Sequence, residues 1–371
     1  MDRKKYEDIE PYRGERFEKA KANLMARKEF IGAFAYMLSG DFSSVEPMVN
    51  AIERALLDVH SYDDFQHKVT AGYFIPAIID KTTTGFSVSG GEKLQKDKGY
   101  LFISNHRDII LDCTLLDYAL KSMNLPLCEM AVGDNLMVNQ MVEDLFRMNG
   151  GIIIKRNLPM REKYLESIRI SEYFVETVSE ENKSIWVAQK SGRSKDGKDL
   201  TQSAIIKMLY LGPKKDKISF TEVIKNCHIM PVAISYEDDP NAINKAREEV
   251  ATAVKGEYNK RPMEDVISMV KGLREWKGNV HLSFGDVIDG EYNSAEDVAA
   301  EVDRQIHSIY RLWPNNWFSY DYLKGSDEHR AEYEGFDSDA FLSSIKHLSP
   351  EVKSFVLNSY ANPVRARLGE V

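Results

Sequence analysis

Short apolar runs alternate with longer helical stretches between residues 85 and 290, and this alternation limits the possible fold more than any other feature of the chain. Strands that alternate with helices favour a largely parallel sheet covered on both faces. The expected strands are Phe86–Val88, Tyr100–Ser104, Cys128–Val132, Ile152–Lys155, Ile185–Ala188, Ile229–Ser235 and Val280–Phe284. The helices expected between and after them are Ile110–Met123, Leu136–Met148, Glu162–Val178, Ala204–Leu211, Asn244–Val254 and Ala295–Leu312.

The residues before this alternation have a helical pattern. Phe17–Leu38 is expected to form one amphipathic helix, and the next helix is expected to begin with a capping box of Ser43 and Glu46. Because a lone amphipathic helix is marginal in water, we expect a small bundle packed on the main domain. The predicted organisation is a helical region at 1–80, an α/β domain at 81–315 and a helical or irregular tail at 316–371.

The charge distribution narrows the choice of partners. The net charge is −9, so attraction of the whole molecule to nucleic acid or to anionic lipid is not expected. One segment departs from this average, because residues 186–217 hold eight Lys or Arg and only three Asp, a local charge of +5. We expect an anion-binding site in this segment.

The cysteines and the N-terminus suggest a cytoplasmic protein. Cys113, Cys128 and Cys227 are too scattered for a disulfide frame or a zinc site, so no metal is expected. The first seven residues are polar and lack the apolar core of a secretory signal. Phe30–Leu38, the nearest apolar stretch, is far shorter than the ~20 residues that span a bilayer.

A histidine in the turn after the second expected strand is the main candidate for chemistry. Ligands of α/β sheets bind beyond the carboxyl ends of strands, which is where the pattern places His106. A carboxylate beside the ring would hold it in the tautomer whose other nitrogen accepts a proton. Asp112, at the start of the next expected helix, is favoured as this carboxylate, and Asp108 is the alternative.

Four sequence blocks recur in order around this histidine. Asn105-His106 followed by Asp112 is the first, and Gly151–Arg156, Ala188–Gly197 and Ile229–Ile234 are the others. Together they resemble the glycerol-3-phosphate and lysophosphatidate acyltransferase superfamily, whose first block reads Asn-His, four residues, Asp. Two features depart from that pattern: five residues follow the histidine before Asp112, and Lys190-Ser191-Gly192 lacks the usual Glu of the third block.

The resemblance implies a mostly parallel central sheet flanked by helices, and an enzyme that needs no cofactor. The implied reaction moves a fatty acyl group from acyl-carrier protein or acyl-coenzyme A to a hydroxyl of glycerol 3-phosphate, lysophosphatidate or a similar anionic acceptor. His106 would act as general base, assisted by Asp112. The implied substrate-binding residues are Asn105, Arg107, Lys155, Arg156, Lys190, Ser191, Gly192 and Arg193.

Arg156 and Arg193 are the strongest of these candidates for gripping the acceptor's acid group, because a guanidinium can bind two oxygens at once. A lipid acceptor would also require peripheral contact with the inner face of the membrane, for which the N-terminal helices are candidates. A water-soluble acceptor such as glycerol 3-phosphate would not require that contact.

Two other functions remain open at this stage. The longer His–Asp spacing and Ser191 are compatible with a catalytically silent acyl- or lipid-binding protein of the same fold. The same groups are also suited to hydrolysis of a thioester. An assay of acyl transfer that compares the wild type with His106→Ala separates these alternatives.

Overall fold

A seven-stranded sheet forms the centre of the protein. The structure, a computed structural model, describes residues 3–261 and 263–371, so the first two residues of the polar N-terminus lie outside it. The strands are β1 Gly85–Ser89, β2 Leu101–Ser104, β3 Glu129–Gly133, β4 Gly151–Ile154, β5 Ile185–Ala188, β6 Ile229–Tyr236 and β7 Asn279–Phe284. Their order is β1-β7-β6-β2-β5-β3-β4, and only the β6–β7 pairing is antiparallel. The predicted mostly parallel α/β fold is therefore confirmed.

Helices surround this sheet on both faces. The first eight are α1 Gly14–Met25, α2 Lys28–Ser39, α3 Val45–Leu57, α4 Tyr62–Asp64, α5 Ile75–Thr82, α6 Leu111–Ser122, α7 Gln140–Met148 and α8 Met160–Val175. The remaining eight are α9 Ser203–Leu209, α10 Phe220–Asn226, α11 Ala242–Lys255, α12 Glu264–Arg274, α13 Ala295–Ile309, α14 Pro314–Lys324, α15 Ser338–Ile345 and α16 Pro350–Arg367. A π-helix, Phe65–Phe74, joins α4 to α5. The sequence pattern did not predict α10 and α12.

The central strand β2 is buried on both faces, and its successive side chains point in opposite directions into two core clusters. Leu101 and Ile103 of β2 join one core cluster, with side chains from α8, α9, α10 and α13. Phe102, between them, joins the cluster on the other face with α5 and α6. This two-sided packing fixes β2, β5, β3, β4 and β6 side by side, with their carboxyl ends at one edge of the sheet. The loops that leave this edge carry the predicted site.

The predicted helix Phe17–Leu38 is wrong, because the structure has two helices here. The backbone leaves the helical region at Arg27, where φ is −112° and ψ is 68°, and α2 begins at the next residue. The change of direction lets Phe17 of α1, Ile31 of α2 and Ile52 of α3 pack in one apolar cluster. Burial of three helix faces together therefore outweighs the continuity of one helix.

The capping box predicted for Ser43 and Glu46 is also wrong. The helix α3 begins at Val45, after a 3₁₀ turn at Phe42–Ser44. Asp41 organises this turn, since its carboxylate accepts from the Ser43 backbone N–H at 3.1 Å and from the Ser44 hydroxyl at 3.0 Å. A short acidic side chain ahead of the helix has taken the role expected of the serine.

Both ends of the chain pack against the α/β domain. Tyr6 and Ile9 belong to the core of the sheet, and the Ile153 N–H of β4 donates to the Ile9 carbonyl at 2.9 Å. At the other end, the Arg367 guanidinium of α16 donates to the Tyr310 carbonyl, just after α13, at 2.6 Å. The boundaries at 80 and 315 stay predictions. In the described part of the chain, no helix has both the length and the hydropathy needed to cross a bilayer.

Candidate active site

The turn from β2 to α6 brings a histidine and an aspartate into contact. His106 Nδ1 lies 2.8 Å from Asp112 Oδ2. A carboxylate can only accept, so Nδ1 carries the hydrogen and the neutral ring keeps its lone pair on Nε2. The His106 side chain is 13% exposed, and its ring meets the edge of the Trp186 indole at a centroid distance of 5.7 Å. The imidazole is therefore held in one orientation with a basic nitrogen available.

Asp112 is itself fixed by several donors. It is fully buried, and Oδ2 also accepts from the backbone N–H groups of Arg107 at 2.6 Å and Asp108 at 2.9 Å. Its Oδ1 accepts from the Tyr236 hydroxyl at the end of β6, at 2.8 Å. Burial and the neighbouring Asp112 raise the pKa of Tyr236 well above its ordinary value, so this hydroxyl stays protonated and donates. These bonds compensate the burial of a charged carboxylate.

Asp108 has a different task, which explains the five-residue spacing. Its Oδ1 accepts from the backbone N–H groups of Ile110 and Leu111, both at 2.9 Å, and so closes the longer turn just before α6. Burial and then the charge of Asp112 raise the pKa of Asp108, and the bonds from the Leu111 and Ile110 N–H groups, followed by the Arg193 guanidinium, partly offset that rise. The ring contact left open by the sequence is thus made by Asp112.

The third sequence block forms a loop between β5 and α9 that is bonded to the histidine turn. The Ser194 N–H donates to the His106 carbonyl at 2.6 Å, and the Gln189 N–H donates to the Ser104 carbonyl at 2.8 Å. Further along the loop, Asp199 accepts from the Arg107 guanidinium at 2.6 Å. Burial opposes the ionisation of Asp199, but Arg107 outweighs it and holds the pKa of Asp199 below its ordinary value.

Cationic side chains of this loop line an open cleft of about 450 Å³. Lys195 is neutralised by Glu248 at 2.7 Å and Glu249 at 3.2 Å. Arg193 differs, because its Nη1 is buried without a hydrogen-bond partner among the described residues. A buried guanidinium nitrogen without a partner has much to gain from an anion. The remaining lining residues are Lys190, Ser191, Gly192, Asp196, Gln202 and Lys260.

Two predicted substrate-binding residues are buried and bonded to other protein groups. Asn105 is fully buried, donating to the Ile234 carbonyl at 2.9 Å and accepting from the Ile234 N–H at 2.8 Å, so it ties the turn to β6. Arg107 is 8% exposed, pairs with Asp199 and lies over the Tyr310 ring at 5.4 Å. The two side chains therefore brace the loops that carry the site, and their role as substrate contacts stays a prediction.

The second-block residues lie farther from the histidine. Lys155 forms an ion pair with Asp8, which also pairs with Arg169, and its role as a substrate cation stays a prediction. Arg156 is exposed at the end of β4, and its backbone N–H donates to Asp134 at 3.3 Å. Because β4 is the third strand from β2, the two strand ends are separated by roughly 14 Å. Arg156 thus lies toward the rim of the sheet edge.

Sequence reasoning missed three residues that support the site. Tyr236 holds Asp112, Asp199 holds Arg107, and the buried Lys245 Nζ donates to the Arg107 carbonyl at 2.6 Å. Tyr236 ends the strand of the fourth block and Asp199 follows closely on the third block. Their positions at the sheet edge could therefore have identified both as candidates from the sequence. Lys245 lies on α11 and carried no such signal. Among the described residues, no cluster of three or more His, Cys, Asp or Glu is arranged to hold a metal ion.

The site lies within a segment that matches a known family. Residues 85–235 match the family model described as Acyltransferase. The dihydroxyacetone phosphate acyltransferase of Bos taurus is 25% identical over 231 residues, covering 61% of this chain and 31% of that protein. The Homo sapiens protein of the same name gives the same identity and coverage. This chain therefore matches about a third of the length of these relatives.

A solved structure also aligns with the chain. The 1-acyl-sn-glycerophosphate acyltransferase from Thermotoga maritima aligns with a TM-score of 0.40 and 15% identity, covering 78% of this chain and 94% of that one.

Proposed function

Because this chain belongs to the glycerolipid acyltransferase superfamily, we propose that it transfers a fatty acyl group from a thioester to a hydroxyl of a small phosphate-bearing acceptor. The observation that carries the proposal is the state of His106. Its Nδ1 is engaged by the buried Asp112, and Nε2 has no hydrogen-bond partner among the described residues. The backbone of the same residue is bonded to the loop that lines the cationic cleft.

The proposed reaction follows from this geometry. The acceptor oxygen attacks the thioester carbonyl carbon while its proton passes to His106 Nε2, and Asp112 stabilises the imidazolium that forms. The C–S bond then breaks, and the departing thiolate takes the proton back from the ring. One ester and one thiol are formed, and the histidine returns to its neutral state. General base catalysis of this kind contributes roughly 10²–10⁴ in rate.

The cleft lined by the loop that is bonded to the histidine turn suggests the class of acceptor. Arg193, with a buried and unpartnered nitrogen, is the proposed main contact for the acceptor phosphate, and Lys190 adds positive charge on the same loop. Ser191 and Gly192 are proposed to line the acceptor's path, and Arg156 to contribute from the rim. The relatives' name, dihydroxyacetone phosphate acyltransferase, supports a small phosphate ester as acceptor. Glycerol 3-phosphate and lysophosphatidate share that chemistry.

The acyl donor is proposed to be acyl-coenzyme A or acyl-carrier protein, with no further cofactor. We propose that the reaction takes place in the cytoplasm, with peripheral contact with the inner face of the membrane if the acceptor is a lysophospholipid. The donor is proposed because acyl transfer of this kind starts from a thioester, and the membrane contact because an acceptor that carries a fatty chain lies in the bilayer.

Transfer of radiolabelled palmitate tests the proposal. Palmitoyl-coenzyme A and palmitoyl-acyl-carrier protein are each offered with glycerol 3-phosphate, dihydroxyacetone phosphate or lysophosphatidate. The wild type and a control, His347→Ala, at an exposed histidine of the tail, should form labelled ester, and His106→Ala should be slower by roughly 10²–10⁴. Equal rates for all three proteins exclude His106 as the base. Palmitate binding without transfer indicates a binding protein, and free palmitate as the sole product indicates a thioester hydrolase.

A further inference from the structure

The cationic loop depends on other elements for its shape. Residues 189–202 form neither helix nor strand, and the path needs positive φ at Gly192 (+79°), Gly197 (+77°) and Asp199 (+53°). The inner half of the loop is bonded to the histidine turn through the Ser194 N–H. The outer half, residues 196–199, is bonded to elements at the far end of the chain.

The helix α16 is the first of these elements. The Asn362 side chain donates to the Asp196 carbonyl at 2.7 Å, and Asn362 is only 5% exposed. The helix also lies directly on Gly197, since a Cβ there would be 2.2 Å from the Ser359 carbonyl oxygen. Arg365, one turn along α16, donates to the side-chain oxygen Oδ1 of Asn362 at 2.6 Å and fixes the direction of the carboxamide.

A second contact comes from α13. His307 Nε2 lies 2.9 Å from the Lys198 carbonyl and 3.2 Å from the Asp199 carbonyl, so this nitrogen donates to the loop. Arg367 of α16 donates to the His307 carbonyl at 2.9 Å and ties the two helices together here. Three of the four carbonyls from Asp196 to Asp199, all but that of Gly197, are thereby anchored by side-chain bonds.

We propose that Asn362 is a positioning residue for acceptor binding, acting through the loop that carries Arg193. This inference rests on the proposed function. A buried carboxamide that bonds a loop carbonyl restricts the loop without reaching the substrate. Loss of that bond lets the outer loop sample more conformations, so the guanidinium of Arg193 spends less time in its binding position. The His106–Asp112 pair keeps its own bonds and is not altered.

Two substitutions isolate the bond. Asn362→Asp keeps the size of the side chain and an oxygen for Arg365 but removes the N–H donor to Asp196. Asn362→Ala also removes this donor, without adding a charge. The matched control is Asn358→Asp, one turn earlier on α16, where the carboxamide donates to the Ser354 carbonyl at 2.8 Å and does not contact the loop. The Asn358 side-chain oxygen also accepts from Arg365 at 2.8 Å, and the aspartate keeps an oxygen for that bond. Calorimetry with glycerol 3-phosphate measures binding, steady-state kinetics with palmitoyl-coenzyme A measures turnover, and hydrogen exchange of residues 190–199 reports on the loop.

Both Asn362 variants should weaken glycerol 3-phosphate binding and raise its KM roughly three- to tenfold, as expected for one lost hydrogen bond. Their kcat and donor KM should change less than twofold, loop exchange should be faster, and Asn358→Asp should match the wild type. Unchanged acceptor binding in both Asn362 variants, or an equal change in the control, overturns the inference. A wild type that binds glycerol 3-phosphate but transfers no palmitate refutes the proposed function alone, and calorimetry then still decides the role of Asn362.

Discussion

Asp112→Asn is the most informative single change at the candidate site. The carboxamide has nearly the same shape, so its oxygen can still accept from the Arg107 and Asp108 N–H groups and from His106 Nδ1. Its NH₂ group would face the Tyr236 hydroxyl, which can accept as well as donate. The main loss is therefore the negative charge beside the ring, and the fold should be retained.

The size of the effect follows from the geometry. His106 and Asp112 are in direct contact at 2.8 Å, Asp112 is fully buried and the histidine side chain is 13% exposed, so water screens the pair only weakly. With charge centres ~4 Å apart and an effective dielectric constant of ~20, the carboxylate stabilises an imidazolium by up to about 4 kcal/mol. At 1.36 kcal/mol for each factor of ten, kcat should fall by roughly 10²–10³.

The assay compares kcat for palmitoyl transfer to glycerol 3-phosphate in three proteins: the wild type, Asp112→Asn and Asp108→Asn. Asp108→Asn is the matched control, because Asp108 lies in the same turn and accepts from Ile110 and Leu111 but does not contact the ring. The carboxamide of Asp108→Asn keeps an oxygen that can accept from those two N–H groups, so its rate should stay within about threefold of wild type. Thermal unfolding confirms that each variant is folded.

The reasoning fails if the two aspartate variants exchange these outcomes. A near-normal rate for Asp112→Asn would show that no imidazolium forms in the rate-limiting step. A hundredfold loss in Asp108→Asn would assign the pairing carboxylate to the other aspartate during turnover, in conflict with the bonds of the resting site. Equal and large losses in both would point to the shape of the turn rather than to the charge of Asp112.

Three further results are expected. Arg193→Ala should raise the KM for glycerol 3-phosphate about tenfold or more, with less effect on the donor KM, and Arg156→Ala should raise the acceptor KM less. Lys260→Ala, at a cleft lysine already paired with Asp265 at 2.7 Å, should leave the acceptor KM unchanged. A different ranking of the three variants would remove Arg193 from the acceptor site. Tyr236→Phe should lower kcat roughly tenfold, because it removes a charge-assisted bond to the carboxylate, and a wild-type rate would show that this donor is dispensable. Burial raises the pKa of Asp117 to about 7, so its neutral form contributes stability that is complete below the unfolded pKa of ~3.9 and is lost as the pH rises through 7. Urea unfolding of the wild type should show a loss of up to about 4 kcal/mol over that pH range, and Asp117→Asn should lack this loss. The same pH dependence of stability in both proteins would contradict the expectation.

Much of the fold followed from the sequence because burial imposes regular patterns. A strand covered on both faces is apolar at nearly every position, and the central strands carry that signature, β2 with four and β6 with eight buried residues in succession. The pattern was weaker where burial is partial. Arg27 interrupts an amphipathic stretch that looks continuous, and Asp41 competes with Ser43 for the start of α3; both outcomes depend on contacts with distant residues.

The sequence by itself determined that a histidine stands at the end of a strand, with an aspartate close behind it and a cationic segment later in the chain. Order along the chain is enough for this, since parallel strands bring their carboxyl ends to a common edge. Only the tertiary structure decided which aspartate meets the ring, which cations are already neutralised, and that Asn105 and Arg107 brace the site from inside. Those outcomes depend on pairings such as Lys155 with Asp8 and Arg107 with Asp199, which join residues 147 and 92 positions apart. A side chain's availability is set by such neighbours, and no local pattern records them.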